Sequence, residues 1–149
     1  MNENKTIVIA LASIFVIVIV VGGIFMGNKL SIERDLVASG AVPIRSESEI
    51  IGSWELIRYE ENGVVLESEQ LVVRGQNTMF DFSSGGLVFV NDHLNGFWPA
   101  GYRIKDGMVV MKDADGNGIQ FKKVDDLLVG ESIGEYSGKQ FTLRRIEPS

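Results

Sequence analysis

Few residues in this chain have the means to do chemistry. Asp113-Ala114-Asp115-Gly116-Asn117-Gly118 has the opening of a calcium loop, in which side-chain oxygens alternate around the ion. Such a loop is completed by a bidentate glutamate at its twelfth position, and here that position is Val124, which has no ligating atom. The segment therefore reads as a polar hairpin turn. With one histidine and no cysteine, no metal site is expected elsewhere. The histidine, His93, stands beside Asp92 in the polar run Asn91 to Gly96. Neighbours on a strand point apart, and no serine sits in a nucleophile elbow, so a hydrolytic pair is not expected. Glu60-Glu61 and Asp125-Asp126 flank turns and read as solvated, since paired catalytic carboxylates have to converge across a cleft. Neither an enzyme nor a cofactor is expected.

Recognition chemistry is better represented than catalytic chemistry. In Phe97-Trp98-Pro99-Ala100 two adjacent aromatics cannot both face inward on a regular strand. Pro99, lacking an N–H, belongs at an edge or bulge. Phe97, Trp98, Phe82 and Tyr102 are the residues expected to form a rim for a ligand or partner.

The elements that would carry this rim follow from period two. From Ile50 onward, short runs of Val, Ile, Phe, Tyr and Trp are separated by turn dipeptides: Asn62-Gly63, Gly85-Gly86, Asn95-Gly96, Asp106-Gly107, Gly116 to Gly118, and Ser137-Gly138. Counting Val64 to Arg74 as one or two strands gives eight or nine. No stretch is left for a crossover helix, so the fold class is all-β, an antiparallel up-and-down meander. Alternation puts Trp54 and Leu56 on one face, and likewise Phe80 with Phe82, Tyr102 with Ile104, Ile119 with Phe121, and Phe141 with Leu143. Such alternation marks a sheet with one dry side.

The first third of the chain is different. Between Lys5 and Lys29 lie 23 residues without a charge, and Ile7 to Met26 is almost purely apolar. Twenty helical residues span roughly 30 Å, a bilayer core. The run is longer than a signal-peptide core, and Gly22 to Met26 offers no small-x-small cleavage site. The expected organisation is a polar tail over 1–5, a transmembrane helix over 6–27 acting as an uncleaved signal anchor, a linker over 28–47 and a β-domain over 48–147. A short tail before a single span places the β-domain outside the cytoplasm. Residues 48–149 carry 10 basic and 16 acidic side chains, so nucleic acid is not an expected partner.

Ile51-Gly52-Ser53-Trp54-Glu55-Leu56 resembles the G-x-W opening of lipocalin-like domains, and the strand order to Phe141-Thr142-Leu143-Arg144-Arg145 is similar to that of small bacterial lipocalin-like modules. The resemblance covers about residues 50 to 147 and implies a small closed barrel. It also implies an arginine of the last strand covering the first-strand tryptophan. Period two from Phe141 and Leu143 assigns that role to Arg145, so Trp54 and Arg145 are the expected barrel-closing pair. The domain is shorter than classical lipocalins and lacks their disulfides and the helix before their last strand. The functional expectation is a membrane-anchored module of the cell envelope that binds a small apolar ligand or a protein partner. The alternative is a structural or interaction subunit with a filled barrel.

Overall fold

The computed structural model describes residues 37–74, 77–92 and 96–147. The chain divides into two units, Met1–Asp35 and Leu36–Ser149. The expected membrane span over 6–27 lies outside the described residues, as does His93. Among the described residues no helix is long and apolar enough to cross a membrane.

Tight turns set the strand order. Asn62 and Gly63 have φ of 52° and 76°, and Asp106 and Gly107 have 53° and 76°. Two consecutive positive φ values match the twist of antiparallel strands and make two-residue hairpins. Nine strands result among the described residues: β1 (Gly52–Glu61), β2 (Val64–Glu67), β3 (Thr78–Ser83), β4 (Leu87–Asp92), β5 (Gly96–Lys105), β6 (Met108–Lys112), β7 (Gly118–Val124), β8 (Leu127–Ile133) and β9 (Lys139–Arg145). A short helix, α1 (Ser68–Val73), follows β2. Val64 to Arg74, read above as one or two strands, is thus a four-residue strand and a helical turn. The Gln70 side chain accepts a hydrogen bond from the Glu67 N–H at 3.1 Å and starts that turn. Leu71 of α1 is buried.

All neighbouring strands are antiparallel, and β1 returns to pair with β9, so β1 and β3 to β9 close an eight-stranded barrel. β2 pairs only with the second half of β1 and lies outside the ring. In the closing pair Trp54 stands opposite Arg145, Leu56 opposite Leu143, Tyr59 opposite Phe141 and Glu61 opposite Lys139. The register shifts between Leu56 and Arg58, where Ile57 forms a bulge. The extra residue resets the alternation, so Tyr59 and Glu61, not Arg58 and Glu60, share the inner face with Trp54.

The interior is filled. Trp54, Phe80, Phe82, Val88, Val90, Tyr102, Val109, Met111, Phe121, Leu128 and Leu143 make one buried cluster with Ile44 and Ile50. Phe121 meets Phe80 edge-on at 5.8 Å, and Phe82 meets Tyr102 edge-on at 5.3 Å. Gly130 stands opposite Phe121, and a Cβ there would overlap the phenylalanine ring. Glycine is what lets the ring lie across β8.

One barrel end is sealed by chain that was expected to be a free linker. Ala41, Ile44 and Ile50 are buried. The Val42 N–H bonds Lys123 O at 2.8 Å, and the Ile44 N–H bonds Gly107 O at 2.9 Å. A 3-10 turn over Glu47–Glu49 follows, and its Glu47 carboxylate accepts the Gly85 N–H at 3.0 Å. These partners belong to the β3–β4 turn, the β5–β6 turn and the end of β7, so residues 41–50 lie across the end of the barrel where those hairpins turn.

Candidate functional site

The two ends of the barrel carry different residues. At the sealed end the Trp54 indole N–H donates to Ile50 O at 2.8 Å. The Arg145 guanidinium lies 4.8 Å from the Trp54 ring centre and donates to Glu49 O at 2.7 Å. Arg144, on the opposite face of β9, is exposed and pairs with Glu55 through its Nε at 2.9 Å. A polar cleft of about 510 Å³ runs past Glu49, Lys123, Arg144, Arg145 and Glu147. Both of its arginines already have partners, which leaves little for an incoming anion.

The opposite end holds the better candidate. A cleft of about 560 Å³ is lined by Trp98, Pro99, Ala100, Met111, Ile119 and Phe141, with Lys112, Asp113, Asn117, Gly118, Ser132 and Lys139 at its margins. Its volume lies within the usual range of ligand sites, and its floor is apolar and aromatic. Each lining side chain gets there by parity. Trp98 and Ala100 share the inner face of β5 with Tyr102, Met111 that of β6 with Val109, Ile119 that of β7 with Phe121, and Phe141 that of β9 with Leu143.

The cleft exists because the wall parts. β5 pairs with β4 from Gly96 to Gly101, but with β6 only from Tyr102 to Lys105. The five-residue β6 is too short to cover the ten-residue β5. Among the described residues Gly96 to Gly101 consequently has a partner strand on one side only, and the opening runs through the wall as well as the mouth. Pro99 sits in this unpaired stretch. The two-residue turn at Asp106-Gly107 makes Lys105 and Met108 a hydrogen-bonded pair, so odd-numbered β5 residues aim their backbone groups toward β6. Tyr102, even-numbered, donates in the other direction, to Gly86 O at 2.7 Å. The donor that Pro99 lacks is therefore the one that would have had no partner.

A polar cluster borders the cleft beside Phe141. The Tyr59 and Phe141 rings are 5.5 Å apart. The Tyr59 hydroxyl donates to Glu61 Oε2 at 2.7 Å, and Lys139 Nζ lies 3.4 Å from Glu61 Oε1. Burial, followed by the hydrogen bond to Glu61 and that carboxylate's charge, pushes the Tyr59 phenol up to about 12. Chiefly through that same hydrogen bond, and also through Lys139, Glu61 is held below the ordinary carboxylate value. The pair is thus a neutral phenol on a charged carboxylate across the neutral range. The Lys139 N–H donates to the Ser132 hydroxyl at 3.0 Å, fixing the β8–β9 corner.

The expected rim residues separate into three places. Trp98 lines the cleft and is 41% exposed. Phe97 points outward and stacks on Phe89 at 5.3 Å, on the outer wall. Phe82 and Tyr102 are buried at the sealed half, where the Tyr102 hydroxyl donates to Ser83 O at 2.8 Å. The rim expected of all four is therefore reduced to Trp98. Phe82 and Tyr102 sit near the far hairpin turns, a distinction that counting residues from each turn would have made. Met111, Ile119 and Phe141 line the cleft with Trp98.

The calcium-like loop is the β6–β7 connection. Asp113 Oδ1 accepts the N–H groups of Asp115 at 3.0 Å and Asn117 at 2.9 Å, and Asn117 Oδ1 accepts that of Glu135 at 2.8 Å. These side chains shape the turn and tie it to the β8–β9 corner. Among the described residues no cluster of acids and histidines could hold a metal ion. The acidic pairs do not converge: Glu60 pairs with Arg58 at 3.3 Å on the outer face, Glu61 faces inward, and Asp125 forms a turn with φ of 52°. Compared with protein-family models and with curated proteins, the chain matches none.

Proposed function

We propose that this protein is a membrane-anchored, lipocalin-like binding module of the cell envelope, and that the cleft between β5, β6, β7 and β9 is its recognition site. The observation that carries the reading is the cleft itself: about 560 Å³ floored by Trp98, Met111, Ile119 and Phe141, above a core of packed apolar side chains. It takes a small apolar ligand or an apolar group of a protein partner at the barrel mouth. The role is binding, not catalysis. The lipocalin-like assignment is supported by the eight-strand closure and by Arg145 over Trp54. The anchor over residues 6–27, with the β-domain outside the cytoplasm, is supported by the uncharged run in the sequence.

The test is titration of the full chain with an environment-sensitive anilinonaphthalene dye, alongside native mass spectrometry of the purified protein. Saturable dye enhancement that Trp98→Ala or Ile119→Lys abolishes is the expected result. Enhancement unchanged by both substitutions rejects the cleft. A second reading, a structural subunit without a ligand, is favoured by the filling of the barrel below the cleft with Phe80, Phe82, Phe121, Leu128 and Leu143. Absence of both dye binding and a co-purifying ligand selects it.

A further inference from the structure

The cleft has a property that a small apolar ligand does not use. Alongside its apolar floor runs a strand edge, Gly96 to Ala100, that is unpaired among the described residues and about 16 Å long at the usual rise of a strand. Parity aims the Phe97 N–H and C=O and the Pro99 C=O into the opening. A purely apolar molecule would cover these groups without bonding them, at a cost in free energy. An occupant with its own alternating amides satisfies them while sending every second side chain inward.

We infer that the opening receives an extended peptide segment of a protein partner, added as a strand beside β5. This rests on the cleft being the recognition site and specifies what enters it. The partner residue opposite Phe97 exchanges hydrogen bonds with it. The residue opposite Trp98 sends a large apolar side chain onto Met111, Ile119 and Phe141. Opposite Pro99 the partner's carbonyl finds no donor, so pairing there is one-sided and the added strand is short. Charge specifies the outer face. Arg103 and Lys112 both point outward at the foot of the opening, and neither has an ion-pair partner among the described residues. Asp113 beside them has one carboxylate oxygen occupied by two backbone N–H groups. An acidic residue adjacent in sequence to the inserted apolar one faces these cations. The recognised chemistry is therefore an extended segment alternating acidic and large apolar residues.

The test uses the full chain in lipid nanodiscs and a dye-labelled peptide of about seven residues alternating leucine and aspartate, read by fluorescence anisotropy. Saturable binding is expected. N-methylating the peptide amides that face β5 should weaken it by about tenfold or more, as should Trp98→Ala. Lys112→Glu should weaken it several-fold and abolish most of its salt dependence. Retained blue-shifted Trp54 emission and circular dichroism show that the variants are folded. An N-methylated peptide that binds as well as its parent overturns strand addition. So does peptide binding that is absent while the apolar dye still enters the cleft, a result that leaves the cleft reading standing. Failure of both probes overturns both. Self-association of the chain that the peptide cannot reverse, lost on Trp98→Ala, replaces the peptide with a second copy and also overturns the inference.

Discussion

At one end of the barrel Ile44, Ile50 and Trp54 are almost wholly withdrawn from solvent, and the Trp54 indole and the Arg145 guanidinium above it both donate to backbone carbonyls. At the other end Trp98 is 41% exposed above an open cleft. Both ends share the same inward alternation of apolar residues. What differs is the finish. Residues 41–50 cross the first end and bond to two of its turns and to the end of β7. At the second end a ten-residue strand stands beside a five-residue one, and nothing in the described chain covers the difference. A barrel of eight strands is just wide enough to be filled by its side chains or to hold one small ligand, and here apolar side chains pack its interior. Room for an occupant therefore comes from incomplete closure at one end, where it does not weaken the core at the other.

The largest expected effect tests that division directly. Trp54→Ala should cost about 3–5 kcal/mol of unfolding free energy, as emptying a large core site does. Trp98→Ala should change stability by no more than about 0.5 kcal/mol while removing cleft binding. Denaturant titration of both variants decides the matter. Equal costs would mean that the two ends are not mechanically distinct.

Next in size is the middle of the barrel. Gly130→Ala forces a methyl group into the Phe121 ring and should destabilise by about 1–3 kcal/mol, the usual range for overpacking. Gly130→Ala combined with Phe121→Leu should recover part of that loss. No recovery in the double variant would show that the glycine serves backbone geometry instead of ring packing.

The two adjacent arginines sharpen the contrast between inner and outer faces. Arg145→Ala removes a stacked cation and a bond to the Glu49 carbonyl, an expected loss of about 1–2 kcal/mol. Arg144→Ala removes an exposed pair with Glu55 and should cost under about 1 kcal/mol. The difference is read by denaturant unfolding, and the reverse order would reject the register of β1 on β9.

Smallest is the alkaline response of the mouth. The folded-state pKa of Tyr59 is raised from 10.0 to about 12, so the folded protein holds that proton more tightly than the unfolded chain. The stabilisation is complete below pH 10 and is lost as pH rises from there toward 12. Glu61 behaves oppositely: its folded pKa is lowered, so its contribution is present above the ordinary carboxylate range and fades as pH falls through the lowered value. Tyr59→Phe should flatten the alkaline decline in unfolding midpoint relative to the parent protein. An identical decline in both proteins would assign the alkaline loss to other groups.

Much of this architecture is legible in the sequence because it is local. Asn62-Gly63 and Asp106-Gly107 adopt the positive φ values that two-residue hairpins require, and those angles are a property of the residues themselves. Period two is equally local, which is why Trp54 and Leu56, Phe80 and Phe82, or Ile119 and Phe121 can be assigned to the inner face without a structure. The position of Pro99 at an unpaired edge follows from its missing N–H. Ser46 and Glu49 have the S-x-x-E spacing of a capping box, and the Ser46 N–H does donate to Glu49 Oε1 at 3.2 Å. That spacing could have revealed that the supposed linker becomes ordered before β1.

What tertiary structure decided was how far each pairing runs. Nothing local to Ile57 announces the bulge that turns Tyr59 and Glu61 inward, because it arises from fitting β1 to β9 across the 77 residues (62–138) that separate the two strands. Nothing local to Ala41 or Ile44 says that they will be buried, since their partners are turns far along the sequence. The cleft is of the same kind: its lining comes from five strands, and its opening comes from the mismatch in length between β5 and β6. Dihedral preference and side-chain parity act over two to four residues and can be read one strand at a time. Closure is a balance among all the strands at once, and only the folded barrel shows which edge is left without a partner.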